Sequence, residues 1–331
     1  MKEAIGIAPA KCILLGEHAV VYGYPAIATA IGLYSKVIIN ELNSDEIHLI
    51  FENFNVELSG KTIEEVFNDT PELILSMVLP VKIGLEFWEL FHETKLSRVQ
   101  IRFKVEFWMG AGLGASASLA VALYKALQKY YGKLYSDTEC FHFSLQMEKM
   151  SHGNPSGIDN TICSSEGTIY YKNRTASEIY VDNSKIYPLL IIYSGQSHST
   201  SDAVLKIEKK RIESVEEVEE IFKNIGSLVD QGKFALEVGD MKKLQLLMEE
   251  NQIELAKLDL MSVEMERIYN MGKILGIRGL KMTGAGLGGC IIALDTPEKL
   301  HRFKEKLDMR NIENKIVLFN IKSTDLNFGI V

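Results

Sequence analysis

At 331 residues, 47% hydrophobic and 24% charged, the chain has apolar mass enough for two ordinary domains or one large one. A formal net charge of −8 argues against nucleic-acid binding, which wants basic stripes. A polyanionic ligand would have to be held by local amides, a metal ion and a few placed cations. No apolar run approaches the roughly eighteen residues of a membrane span.

The four cysteines, Cys12, Cys140, Cys163 and Cys290, are widely spaced with no CxxC, which reads as buried thiols in a reducing compartment, the cytoplasm. Lys11, Glu17 and His18 interrupt the apolar N-terminus and argue against a cleaved signal peptide.

In chain order, residues 4–7 and 12–15 read as short strands joined by a turn at 8–11. Glu17 and His18 come next, between Gly16 and Gly23, where a strand ends and polar groups either build a site or merely cap the next element. Residues 36–41 and 46–52 read as strands, and residues 71–91 as a helix that Pro80 breaks or kinks. Residues 99–107 alternate apolar and polar, a half-buried strand that leads straight into Gly110-Ala111-Gly112-Leu113-Gly114.

Three glycines in five residues let this loop take positive φ and turn its N–H groups inward. Leu119, Ala122, Leu123, Ala126, Leu127 and Tyr130 then fall at helical steps, and Gly132 is placed to stop the helix. A glycine loop feeding a helix N-terminus suits an anion, phosphate above all. No Lys-Ser or Lys-Thr pair closes it, so it is not the Walker loop. Taken alone, it is equally a glycine turn before an ordinary helix.

Ser136 and Glu139 match a capping box for the next helix, which runs to about residue 151 with Gly153 as its stop. Glu148 lies in its last turns, where the helix dipole is already negative and a nearby cation would be welcome. Residues 152–160 form a Gly/Asn/Pro turn that presents Asp159 before the strand-like 161–163.

Composition shifts near Asn183, which divides the chain into 1–183 and 184–331. Residues 187–193 read as a buried strand, 207–229 as a charged helix, and 241–258 and 263–275 as two more helices. Gly284, Gly286 and Gly289 formally match the dinucleotide fingerprint, but 290–294 reads as strand where the fingerprint needs a helix. The loop instead brings a backbone close to something. Pro297 starts the last helix, and 315–321 is the last strand.

Together, residues 9–23, 110–117 and 281–289 resemble, in order, the three motifs of the GHMP small-molecule kinases. The run from Glu17 to Gly23 and the segment 152–160 are most similar to the members of that family that act on mevalonate. The resemblance spans nearly the whole chain. It implies an α+β protein with an N-terminal domain of ribosomal-protein-like fold, a C-terminal ferredoxin-like domain and a site in the cleft between them.

It further implies that Gly110, Ala111, Gly112, Leu113, Gly114, Ala115 and Ser116 cradle the ATP phosphates, and that Ser116 and Glu148 hold Mg²⁺. Asp159 and Lys11 would face the substrate hydroxyl as the catalytic pair, with Glu17, His18, Thr200 and Gly284 on the substrate side. Mg²⁺ needs few protein oxygens once phosphates and waters fill its octahedron, so one hydroxyl and one carboxylate suffice. The implied reaction is ATP-dependent phosphorylation of the mevalonate 5-hydroxyl in isoprenoid precursor synthesis.

Three departures stand out. Trp108-Met109 precede Gly110 where the family has proline, and Ala115 replaces the first of two serines. The stretch 196–200 also lacks an expected lysine and proline. Another small alcohol as substrate, such as phosphomevalonate or a sugar, and a non-catalytic nucleotide sensor stay open as alternatives. A homodimer stays open as well.

Overall fold

The computed structural model describes residues 2–68, 70–152, 156–165, 167–180, 186–197 and 200–320. The N-terminal part runs β1 (Glu3–Leu15), β2 (Ala26–Glu41), β3 (Ile47–Phe51), β4 (Val56–Gly60), α1 (Ile63–Asn68), α2 (Glu72–His92), β5 (Val99–Val105), α3 (Ala115–Tyr131), α4 (Asp137–His152), α5 (Ile158–Ser165), β6 (Thr168–Lys172) and β7 (Thr175–Glu178). Its sheet has the order β4-β3-β5-β2-β6-β7, with β1 also paired to β2. Pairing is antiparallel except between β3 and β5.

The C-terminal part runs β8 (Ile186–Tyr193), α6 (Thr200–Glu213), α7 (Val215–Glu237), α8 (Met241–Ala256), α9 (Val263–Ile274), β9 (Leu280–Thr283), β10 (Cys290–Leu294), α10 (Pro297–Asp308) and β11 (Asn314–Asn320). The antiparallel sheet order β11-β8-β10-β9 puts the fourth, first, third and second strands side by side, which is the ferredoxin-like arrangement.

Several expectations are corrected. The two short N-terminal strands are one, β1, because Pro9 sits at a register shift between Pro9 and Ala10 where the ladder tolerates a missing N–H. Pro80 does not break α2, which runs on through it. The strand-like 161–163 is helical, in α5. There the Thr161 hydroxyl donates back to the Gly157 carbonyl at 2.9 Å, and tertiary burial overrides the β-branched propensity of Thr161 and Ile162. The charged helix expected over 207–229 is two helices, α6 and α7, divided at Ser214. Gly153 and Asn183 lie outside the described residues, as does Ile321 at the end of the last expected strand.

One apolar cluster fills the N-terminal part, with Trp88, Tyr124, Phe143 and Leu123 at its centre. Another lies under β8–β10 and includes Phe222, Ile268 and Phe303. A third joins the two parts, placing Leu15, Ile27, Phe107 and Leu113 against Leu189, Ile191, Ile292 and Leu247. The four cysteines are buried and free, as expected, and burial pushes the Cys12 and Cys140 thiols up to about 12. Among the described residues no helix is long and apolar enough to cross a membrane.

The path of β1 across α3 sets how the helix after the glycine loop lies on the sheet. Gly6 makes that path possible, since a Cβ there would sit 1.9 Å from the Ala122 carbonyl oxygen and 2.5 Å from the Ala126 nitrogen. Gly6→Ala should therefore cost about 3 kcal/mol, seen as a lower melting temperature. Gly32→Ala in β2 meets nothing within 4 Å and should leave the melt within about 0.5 kcal/mol of wild type. Equal melts for the two variants would refute the close approach.

Candidate active site

The loop Gly110–Gly114 turns as its glycines allow. Gly110, Gly112 and Gly114 all have positive φ, at 68°, 77° and 72°. It delivers the chain to the N-terminus of α3, where no side chain caps the helix and no acidic residue sits in the first turn. The first-turn amides are thus left for an external acceptor, and the helix dipole favours an anion there. Ser116 lies in this first turn, half-buried.

Lys11 comes up from β1 beneath the loop. Its backbone N–H donates to the Leu113 carbonyl at 3.0 Å, and its side chain passes so close under Gly114 that a Cβ there would meet Lys11 Cγ at 2.8 Å. Lys11 Nζ pairs with Asp159 Oδ1 at 3.0 Å. Asp159 sits in the first turn of α5, where a carboxylate suits the helix dipole, and keeps about a quarter of its side chain exposed. Burial alone would lower the Lys11 pKa. The charge and hydrogen bond of Asp159 more than offset this, so the net shift is upward.

Glu148 lies behind this pair, in the last turns of α4 and only 6% exposed. Burial first, and the Asp159 charge second, push its carboxyl up to about 8, against opposing pulls from Lys11 and Asn160. The Asn160 amide acts on it without a hydrogen bond of ordinary geometry. Among the described residues, Glu148 Oε2 and both amide atoms of Asn160 are buried with no hydrogen-bond partner. Buried orphans of this kind normally answer to a ligand, an ion or water. A carboxylate oxygen and an amide oxygen are the hard donors a divalent cation prefers, and a serine hydroxyl such as that of Ser116 is another.

The first and third motifs interlock. Glu17 and Lys281 form an ion pair with no exposed surface on either side chain. The second Glu17 oxygen accepts from Asn251 Nδ2 at 3.2 Å, and Asn251 Oδ1 accepts from the Gly16 N–H. Burial lowers the Lys281 pKa, opposed by Glu17. Thr283 Oγ1 accepts from the Ile13 N–H at 3.0 Å and faces the Ile13 carbonyl at 3.1 Å. His18, at φ 62°, donates from Nε2 to the Ala285 carbonyl at 2.9 Å, which puts a proton on that nitrogen.

The Gly284–Gly289 loop closes a hairpin between β9 and β10, so the dinucleotide fingerprint is absent in structure as well. The backbone that comes close to it belongs to the phosphate loop: a Cβ on Gly284 would lie 2.9 Å from Gly112 Cα.

Lys11, Asp159, Glu148 and the loop Gly110–Ser116 therefore converge, with Gly284 against the loop and His18 held to the third motif. Glu17 is close by, but both of its oxygens are engaged. Thr200 opens α6, just after His198 and Ser199, which lie outside the described residues. Sequence reasoning misses Asn251, which has no local signal in its helix. It also gives Lys281 and Asn160 no role, although a lysine within a short apolar strand beside a glycine loop is a usable signal.

A phosphate-type loop, an ion-paired carboxylate and an orphaned acid between two α+β domains define a small-molecule kinase. Residues 81–168 match the GHMP kinases N terminal domain and residues 234–311 match the GHMP kinases C terminal. The chain belongs to the GHMP kinases, which are ATP-dependent. It is 31% identical to the mevalonate kinase of Methanocaldococcus jannaschii over 311 residues, 92% of this chain and 96% of that one. It is 32% identical to the mevalonate kinase of Pyrococcus abyssi over 298 residues, 87% of each chain. The crystal structure of the Methanococcus jannaschii mevalonate kinase matches with a TM-score of 0.85 at 27% identity, covering 97% of this chain and 99% of that one.

The raised Glu148 pKa has a measurable consequence in the ligand-free protein. Between the ordinary value of 4.5 and about 8, the folded state keeps a proton that the unfolded chain has lost. Stability therefore falls as pH rises through that window. Melting curves from pH 5 to 8 should show wild type losing ground to Glu148→Gln as pH rises. Parallel curves would remove Glu148 as the cause.

Proposed function

We propose that this protein transfers the γ-phosphoryl group of ATP to the 5-hydroxyl of mevalonate, giving 5-phosphomevalonate and ADP. The observation that carries the chemistry is the Lys11–Asp159 pair, 3.0 Å apart and directly under the end of the glycine loop. The observation that carries the substrate is the near full-length similarity to mevalonate kinases.

In this reading Gly110–Ser116 and the first turn of α3 hold the ATP phosphates through backbone amides. Asp159 accepts the proton of the substrate hydroxyl as the new bond forms, and Lys11 stabilises charge on the transferring group. Ser116 and Glu148 would hold Mg²⁺, with Asn160 beside them. A bound magnesium ion supplies charge neutralisation at the β- and γ-phosphates.

His18 and Thr200 are assigned to the substrate carboxylate. Glu17, whose oxygens are taken by Lys281 and Asn251, acts by fixing the backbone that carries His18. Gly284 lets the third motif close on the phosphate loop. The domains divide at 183/184, between β7 and β8, which belong to different sheets. The same reading places the protein in the cytoplasm and leaves a homodimer open. The buried free thiols support the compartment, and sedimentation tests the dimer.

The deciding experiment is ADP release against a panel of small alcohols. Mevalonate should turn over best, and 5-phosphomevalonate poorly, because its added negative charge would meet Asp159. A better sugar or phosphomevalonate substrate would leave the family and overturn the substrate.

Asp159→Asn keeps the shape and removes the base, so kcat should fall about 10²–10⁴-fold while ATP affinity stays near wild type. Lys11→Met should also lower kcat. The double variant should lose far less than the product of the two, since an ion pair acts as a unit. Weakened ATP binding with kcat intact in Asp159→Asn would reassign the carboxylate to nucleotide or metal.

A further inference from the structure

The chain enters the phosphate loop through Trp108, where the resemblance leads one to expect proline. Proline would fix that entry through its own φ. Trp108 is instead gripped from outside. Its ring stacks on Tyr193 of β8, with centroids 5.5 Å apart and planes 19° from parallel. Its Nε1–H donates to Glu313. Lys315 of β11 lies over the ring, 5.5 Å from its centroid, and the same Nζ donates to the Glu106 carbonyl at 2.5 Å.

All three partners belong to the C-terminal part, and the strand end is held at two successive points. Burial does not explain the arrangement. The ring is only partly covered and borders a cavity of about 520 Å³ whose walls include Asp308, Ile312 and Asn314.

The residues just beyond Trp108 run along the same surface. A Cβ on Gly110 would meet the Ser197 side chain at 3.2 Å, and one on Gly112 would meet the Thr283 carbonyl at 3.2 Å. Farther along, the Lys11 N–H bond to the Leu113 carbonyl and the burial of Leu113 hold the loop's end, so Trp108 supplies the anchor at its entry. The loop's glycines are free to take many conformations, and only one set presents its amides together.

We propose that Trp108 is a positioning residue for phosphoryl transfer: its clamp on Tyr193, Glu313 and Lys315 fixes the entry to the phosphate loop against the C-terminal part and keeps the loop in its nucleotide-binding form. This rests on the assignment of Gly110–Ser116 to the ATP phosphates. Removing the ring leaves the phosphate contacts chemically intact but less often assembled. The apparent ATP dissociation constant then rises by the inverse of the competent fraction. Once nucleotide is saturating, the loop is assembled and kcat recovers.

Calorimetry with Mg·ATP and steady-state kinetics test this on the full chain. In Trp108→Ala the ATP dissociation constant and KM should rise about tenfold, the result of a loop assembled about a tenth of the time, with kcat within about twofold of wild type. Trp108→Phe keeps the ring on Tyr193 and loses the Nε1–H, so it should restore most of the affinity. Tyr193→Leu should repeat the loss, and the Trp108→Ala/Tyr193→Leu double variant should lose no more than the worse single.

Trp88 is fully buried, so a change in tryptophan emission when nucleotide binds should come from Trp108 and vanish in Trp108→Phe. ATP affinity within twofold of wild type in Trp108→Ala, a loss confined to kcat, or losses that multiply in the double variant would each overturn the proposal. If Trp108→Ala fails to fold, Trp108→Phe and Tyr193→Leu carry the same comparison. Wild type failing to bind Mg·ATP would instead sink the nucleotide assignment, so the two failures are told apart.

Discussion

The site depends on one buried ion pair. Glu17 and Lys281 are far apart in sequence, and neither side chain has any exposed surface. Two charges taken wholly out of water are tolerated only when geometry and further hydrogen bonds compensate. Asn251 supplies one such bond to Glu17, and the Met282 carbonyl accepts a second from Lys281. Removing one partner would strand the other, at about 3–5 kcal/mol. The pair is therefore a poor way to gain stability and a strong way to specify one arrangement. It pins the turn after β1 to the strand before the third-motif loop. Thr283, hydrogen-bonded to both backbone groups of Ile13, repeats the connection two residues on.

That fixed distance explains the glycines. With β1 and β9 bolted together, the phosphate loop must pass between Lys11 below and Gly284 beside it. Gly114 has no room for a Cβ over the Lys11 side chain, and Gly112 and Gly284 meet backbone to backbone. The loop's sequence is thus doubly constrained, by positive φ and by crowding. Lys11, passing under Gly114, reaches Asp159 of α5. A structural device in one place thus bears on the geometry around the Lys11–Asp159 pair in another, with no side chain reaching the whole way across.

Much of this is legible in the amino-acid sequence. Local physics accounts for the left-handed glycines, the start and stop of α3 and the strand reading of 290–294 that rules out a dinucleotide fold. Motif resemblance brings Lys11, Glu148 and Asp159 to one place, which no periodicity could do. The failures are also physical. Pro9 reads as a strand break because a register shift depends on the partner strand, which local sequence does not contain. Thr161 and Ile162 read as strand because their β-branched preference outweighs any visible helix signal, whereas their burial behind the site decides the matter. Asn251 is invisible because its meaning lies entirely in what β1 brings next to it. Glu17 is put on the substrate side by motif resemblance alone, and its pairing with Lys281 has no local signal, because the partner lies in a distant strand.

The electrostatics of the site rest on the same geometry. Lys11 and Asp159 pair with each other, so Glu148 is left as a buried carboxyl next to another carboxylate. Its raised pKa means that, near neutral pH, the ligand-free protein keeps it largely protonated. A buried acid in that state keeps one oxygen unpartnered, and Asn160 beside it is equally unsatisfied. Such a cluster is unfavourable for folding, and a buried orphan of this kind calls for a ligand, an ion or water. A divalent cation arriving with nucleotide would exchange with the Glu148 proton, giving the oxygen its partner and turning the local charge from repulsive to attractive. The acidic net charge of the chain then presents no obstacle to a polyanionic substrate. In the proposed reading, negative charge at the phosphates would be met by loop amides, Lys11 and the exchanged cation together, across a distance that the Glu17–Lys281 pair helps to set.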